Sequence, residues 1–385
     1  MTRRDGVGLA LAGGVVEGGF YEIGALCALE EAVEGLDLTR LGVYVGVSAG
    51  AAVAAMLANG VAPRTMSAAI VERSGDPTLD LRPDVLFTPA WSEIAGRLRR
   101  IPGIAARTLR RVVGAPREAL GWGTLAAFGA ALPTALFDGR GIERFLATAF
   151  GAPGRTNDFR ALDAALRVVA VRLDTAELVA FGAPGLDHVP ISHAVRASTA
   201  LPGLFCPAEI DGELYIDGVA RRTMHASLGL DQGAKLLLCV NPIVPVRLTD
   251  PPASRRTLAD RGLPYVLSQT FRTVVHSRMS TAFQSYAHSH PDADLVLIEP
   301  EMEDESLFFS NIFSFANRRG VCEHAYASTR RHLLRDFDRL APLFARHGLT
   351  LRRHAIEDST RQLYSEAVHE RDDNPKRHLK RGPGE

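Results

Sequence analysis

Val43-Tyr44-Val45-Gly46-Val47-Ser48-Ala49-Gly50-Ala51-Ala52 is an apolar strand that runs into a G-x-S-x-G turn and then into an Ala-rich helical segment. Strand formers fill its first half and helix formers its second, so the serine falls on a sharp strand-to-helix turn. A residue held there is strained. Gly46 and Gly50 flank it because a side chain two positions away on either side would collide with the crossing chain. The turn exposes the hydroxyl, and the helix starting at the serine points unpaired amides and its positive dipole end at the place where charge would develop on a substrate carbonyl. Ser48 is therefore the candidate nucleophile.

On the N-terminal side of this stretch, residues 6–12 read as a buried strand, 13–19 as a glycine-rich loop and 20–33 as a helix. Residues 41–47 and 49–59 supply the next strand and helix. The chain thus opens β-α-β-α, which calls for an α/β fold with a parallel sheet covered on both faces. Later strands are expected at 166–173, 177–182, 213–216, 235–240 and 295–299, the last two being the continuous apolar runs that central parallel strands require.

The 385 residues, 46% hydrophobic and 23% charged, suffice for a sizeable core. Lys plus Arg and Asp plus Glu balance at 44 each, so no global field draws the chain to nucleic acid, and any electrostatic attraction has to be local. The four cysteines are widely separated and lack C-x-x-C spacing, which reads as reduced and structural. Arg3-Arg4 before an apolar run imitates a secretory signal, but the glycines at 8, 13 and 14, the immediate Glu17 and the lack of an A-x-A site favour a strand entering a loop. No stretch reaches the roughly 18 apolar residues of a membrane span. The expected location is cytoplasmic, with peripheral membrane contact as the one reservation.

That reservation comes from residues 90–133. Trp91, Ile94, Leu98, Ile101, Ile104, Leu109, Val112 and Val113 interleave with arginines at steps of three and four, Trp122 and Phe128 follow, and seven arginines face two glutamates. One or two amphipathic helices broken near Pro102-Gly103 are expected, with a basic face suited to an anionic bilayer or simply to solvent. The aromatic group Phe308, Phe309, Phe313 and Phe315 offers another route to lipid. Residues 370–385 are mostly charged with Pro and Gly, and read as a disordered end.

A serine needs a base. An α/β-hydrolase would place a His-Gly loop upstream of the serine and Asp and His downstream, but no histidine precedes Ser48. Downstream, Ile210-Asp211-Gly212-Glu213-Leu214-Tyr215-Ile216-Asp217-Gly218-Val219 places an Asp-Gly pair at the end of a short strand that follows a hairpin turn at Asp211-Gly212.

With this third motif the chain resembles the patatin-like phospholipases, a family of lipid acyl hydrolases built on a Ser-Asp dyad, in their bacterial subgroup. The family's glycine-rich oxyanion loop matches Gly13-Gly14, its G-x-S-x-G matches Gly46 to Gly50, and its Asp-Gly-Gly/Ala motif matches Asp217-Gly218, with Val219 departing in the third place. Residues 197–202 with Phe205 are similar to the family's segment ahead of the aspartate, and residues 268–279 and 322–326 to parts of the bacterial subgroup. The resemblance implies a three-layer α/β/α sandwich with a mostly parallel sheet. It further implies Ser48 as nucleophile, Asp217 as base, and backbone amides of Gly13, Gly14 and Val15 as oxyanion hole, with Gly46, Gly50 and Gly218 supporting the motifs and no cofactor or metal. The catalytic core is expected at 1–245 with a cap-like insertion at about 90–133, a packed extension at 246–355 and a charged tail at 356–385. The usual loop carries an Arg or Lys, whereas this one reads Gly13-Gly14-Val15-Val16-Glu17-Gly18-Gly19 and has no cation. Weak activity, or a protein that binds lipid without turning it over, is one alternative; a Ser-His-Asp esterase using His225 is the other.

Overall fold

The computed structural model describes residues 4–114, 132–221, 224–249, 257–305 and 315–364. Trp122, Phe128, Phe308, Phe309, Phe313 and the tail 370–385 lie outside the described residues. The main sheet contains β1 (Arg4–Leu11), β2 (Leu41–Val47), β3 (Ala165–Arg172), β4 (Leu178–Phe181), β5 (Ala208–Ile210), β6 (Glu213–Asp217), β7 (Leu236–Val240) and β8 (Asp294–Ile298). The longer helices are α1 (Val15–Ala32), α2 (Ala49–Ala58), α3 (Trp91–Gly114), α4 (Arg140–Phe150), α5 (Ile191–Ser198), α6 (Leu263–Ser289), α7 (Arg318–Arg335) and α8 (Phe337–Arg346).

Strand order is β8-β7-β1-β2-β3-β6-β5, with β4 also paired to β3. The five strands from β8 to β3 run parallel, and β4, β5 and β6 pair antiparallel. The alternation of a strand divides the side chains between two cores. Leu9, Leu11, Val168, Ala170, Leu238 and Val240 join α1, α2, α5 and α7 on one face, while Ala10, Val45, Val47, Val169, Leu237 and Cys239 meet the helix Ala226–Asp231 and α6 on the other. The α/β/α layering expected from the sequence is thus present. Residues beyond 245 supply β8, the cover over one face and, through α7, the neighbour of α1 on the other.

Three local expectations are corrected. Helix α1 begins at Val15 and takes Gly18 and Gly19 into its first turns, where the sequence suggested a loop as far as Gly19. Gly18 serves close packing instead, since a side-chain carbon there would lie 3.0 Å from Pro242, whereas one at Gly19 would make an ordinary contact with Ala49 at 3.5 Å. Helix α3 runs through Pro102 without a break, since proline removes one ladder bond but the apolar period continues on both sides of it. Phe315, offered with the aromatic group as a lipid route, is buried edge-to-face on Phe20 with ring centroids 5.5 Å apart. The chain after 355 also remains packed for a while: Tyr364 is buried, and its hydroxyl lies 2.7 Å from Ser67 Oγ. Among the described residues no helix is long and apolar enough to cross a membrane.

Helices α1 and α7 pack closely at Gly24, where an added carbon would sit 2.0 Å from the Cys322 carbonyl oxygen. Gly24→Ala should therefore cost roughly 1–3 kcal/mol in denaturant titration through overpacking. Gly96→Ala, placed in α3 with nothing within 4 Å, should be neutral or stabilising. Equal midpoints for both would mean that α1 and α7 adjust without cost.

Candidate active site

Strand β3 sets the geometry. It pairs with β4 over Val168 to Val171 along one edge, so β2 and β6 must share the other. They do so in succession: Val47 pairs with Val169, and Asp217 pairs with Ala170. Ser48 leaves β2 at the point where β6 arrives with Asp217, and adjacent residues of one strand thereby carry the serine and the carboxylate.

Ser48 has φ 55° and ψ −126°, a left-handed conformation that a non-glycine residue adopts only under constraint. The constraint is visible on both sides. A carbon on Gly46 would lie 2.4 Å from Ala51 Cα and one on Gly50 2.5 Å from the Ala12 carbonyl oxygen, so both must be glycine. The Ser48 amide donates to Ser198 Oγ at 2.8 Å, and Ser198 donates in turn to the Val169 carbonyl at 2.5 Å. Ser198, the last residue of α5, thus ties the nucleophile's backbone to β3. The sequence marks its neighbourhood but not this role, because a serine at a helix end is ordinarily a surface residue. Its own N–H being engaged, Ser48 leaves the following amides at the start of α2 as the ones without an intrahelical acceptor.

Asp217 is buried and ends β6. Its amide donates to the Ala200 carbonyl at 3.0 Å, while its Oδ1 accepts from the Val219 amide at 2.9 Å. Burial pushes its carboxyl up to about 7, against the lowering effect of the nearby Ser48 side chain and of the Val219 amide. An ordinary aspartate near 3.9 is a poor acceptor of a serine proton; one near 7 is matched to the task. Gly218 lies against the Val169 carbonyl, where an added carbon would come within 2.6 Å.

The glycine loop closes the third side. A carbon on Gly13 would sit 3.0 Å from Ser48 Cβ and 2.3 Å from Val219 Cγ2, which accounts for the departure at Val219: its side chain occupies the space that Gly13 leaves. Gly14 caps α1 without a side-chain cap, and Gly18 N–H donates to the Gly14 carbonyl at 2.8 Å. Val15 has φ 55°, a rare state for a β-branched residue, and its amide belongs to the unpaired first turn. Two strained non-glycine residues, Val15 and Ser48, line the same cleft.

That cleft lies between α1, α2 and α4. Its only polar side chains among the lining residues are Ser48 and Thr199; Phe20, Met56, Ile70, Phe145, Leu146 and Phe205 represent the rest. Such a wall accepts an alkyl chain. His225, the alternative base, is buried at the start of the helix Ala226–Asp231. Among the described residues no group of three or more His, Cys, Asp or Glu is placed to hold a metal ion.

A family model described as Patatin-like phospholipase matches residues 9–228, more than half of the chain. Similar solved structures include VipD from Legionella pneumophila, at 18% identity and TM-score 0.38, covering 85% of this chain and 66% of that one. The type III effector protein ExoU aligns at 18% identity and TM-score 0.36, over 86% of this chain and 53% of that one. Full-length ExoU of Pseudomonas aeruginosa in complex with SpcU aligns at 18% identity and TM-score 0.27, over 85% of this chain and 53% of that one. The chain spans less than two thirds of the length of these structures.

The raised Asp217 carboxyl has a consequence for stability. A group whose folded value lies above its unfolded one stabilises the fold fully below the unfolded value, and that contribution is lost as pH rises through the folded value. Wild type should therefore lose stability relative to Asp217→Asn between about pH 4 and pH 7, as read from thermal midpoints across that window. A wild type that instead gains on the Asn variant as pH rises would mean that the site prefers the charged carboxylate.

Proposed function

The chain belongs to the patatin-like phospholipase family, and from that premise we propose that it is a lipid acyl hydrolase working through a Ser48-Asp217 dyad. Ser48 Oγ attacks the ester carbonyl while its proton passes to Asp217. Amides of Gly13, Gly14 and Val15 receive the oxyanion, and the alcohol leaves with the proton that Asp217 held. Water, deprotonated by Asp217, then adds to the acyl-Ser48 ester; collapse of that adduct frees the fatty acid and returns the proton to Ser48. The observation that carries this reading is the convergence on β3 of a strained serine and a desolvated carboxylate whose pairing positions there are adjacent. The apolar cleft beginning at Ser48 favours the acyl part of a lipid as substrate.

Ser48→Ala and Asp217→Asn should each abolish turnover of a soluble short-chain ester, with non-additive losses in the double variant. A fluorophosphonate probe should label wild type and not Ser48→Ala. In wild type kcat/KM should rise with pH through about 7, as Asp217 becomes able to accept a proton. Activity kept by Asp217→Asn and lost by His225→Ala would replace the dyad by a histidine mechanism. An unlabelled, inactive wild type would leave a lipid-binding protein on this fold.

For the approach to lipid we propose contact with an anionic membrane through the segment that begins with α3. Trp91 is 70% and Leu98 59% exposed, and Leu136 joins them across the hydrogen bond from Ala90 N–H to its carbonyl. Arg99 is exposed beside them, whereas Arg97 pairs with Glu93 at 3.0 Å. Amphipathic tryptophan and arginine side chains beside an apolar leucine on one exposed helix suit a headgroup boundary. Trp91→Ala with Leu98→Gln and Arg99→Gln should weaken sedimentation with anionic vesicles while leaving short-ester hydrolysis intact. Equal sedimentation of both proteins at low and high salt would remove α3 from the docking surface.

A further inference from the structure

The glycine loop carries a charge that works against the chemistry assigned to it. Glu17, half-buried, stands in the first turn of α1, two residues after the proposed oxyanion donor Val15, and a carboxylate that close to a developing oxyanion opposes it. The answering cation comes from outside the loop. Arg272 of α6 faces Glu17 as its electrostatic partner, and the two line a small cavity with Gly14, Gly18 and Pro242 on the side of the loop away from the acyl cleft.

The same arginine also acts mechanically. Its Nη1 donates to the Val244 carbonyl at 3.2 Å, and one turn earlier Gln269 brackets Val246, its Nε2 donating to the Val246 carbonyl at 2.7 Å and its Oε1 accepting from the Val246 amide at 3.0 Å. These bonds hold the strap that begins at Pro242. The Pro242 ring presses on the loop itself, its Cγ lying 2.6 Å and 3.0 Å from where side-chain carbons of Gly14 and Gly18 would start. Loop, strap and helix therefore form one stack in which α6 is the outer member.

We propose that Arg272 is a positioning residue of the hydrolase: it neutralises Glu17 and, together with Gln269, locks the Pro242–Val246 strap against the glycine loop, so that the Gly14 and Val15 amides stay aimed at the oxyanion. The inference rests on the dyad reading and on that loop being the oxyanion hole. Burial, which pulls the Arg272 guanidinium's affinity for its proton down, makes a charge partner at Glu17 the more necessary. Displacing donors by about an ångström, or losing one, is expected to lower kcat by roughly 10²-fold with little change in KM for a small ester.

The test is a double-mutant cycle on the full-length chain, with kcat and KM measured separately on a soluble short-chain ester. Arg272→Met should lower kcat by about 10²-fold, and in the Glu17→Gln background the same change should cost at least fivefold less, because no carboxylate is then left uncompensated. Arg272→Lys should recover part of the loss through charge alone. Gln269→Ala, which loosens the strap and leaves both charges in place, should lower kcat by an amount that Glu17→Gln does not restore; it carries the test if Arg272→Met does not fold. A kcat loss in Arg272→Met that is identical in both backgrounds, or a change confined to KM or to the thermal midpoint, overturns the proposal. If wild type itself neither hydrolyses the ester nor takes the fluorophosphonate at Ser48, the parent reading fails and this one falls with it. Wild-type turnover lost in Ser48→Ala, with no coupling between Arg272 and Glu17, sinks the inference alone.

Discussion

A strand has two edges, and β3 spends one of them on two partners in turn. Because β4 occupies the opposite edge over the same residues, β2 has to stop at Val169 for β6 to begin at Ala170. The chain leaving β2 must then turn sharply, and this turn places Ser48 at φ 55°. The Val169 carbonyl, released from the ladder where the partners change, accepts from Ser198, and Ser198 fixes the serine amide. Gly46, Gly50 and Gly218 are needed because three chain segments crowd this one junction. The strain at Ser48 is thus paid for by sheet pairing on both sides of it.

The electrostatics follow from the same crowding. Asp217 ends β6 beneath the glycine loop and beside Ser48, where water has little access, so its charged form is penalised and its carboxyl rises to about 7. A more solvated aspartate would be easier to hold but would not take a serine proton near neutral pH. Val219 contributes twice, with its amide on Asp217 and its side chain in the gap left by Gly13. A residue that departs from the family pattern therefore fills space beside the buried carboxylate.

How much of this could be read from the sequence depends on whether the signal was local. The strand, turn and helix around Ser48 are local: residue type alternates from strand to helix formers within ten positions, and β2 and α2 lie where the sequence placed them. The hairpin at Asp211-Gly212 is equally local, both residues having positive φ. Glycine is the ambiguous letter. Gly18 and Gly19 read as loop because nothing in the sequence reveals Pro242 and Ala49, against which they pack inside a helix. Ser198 was invisible for a related reason, since its role exists only where α5 meets β3. The elevated carboxyl at Asp217 could be required by the chemistry but not seen, because burial is a property of the assembled chain.

Arg272 shows the same limit at longer range. The loop has no cation of its own, and on sequence alone that looked like a missing contribution to the oxyanion hole. The structure sets a cation from α6 against Glu17, on the side of the loop away from the acyl cleft. A cation within the loop would act directly on an oxyanion, whereas Arg272 sits on a 27-residue helix that packs into the second core and bonds to the strap. The glycine loop can then keep its amides unencumbered on the substrate side while its charge is balanced from behind. On this arrangement the residues after 245 are not an appendage to the site: β8 extends the sheet, and α6 bonds to the strap that presses on the glycine loop.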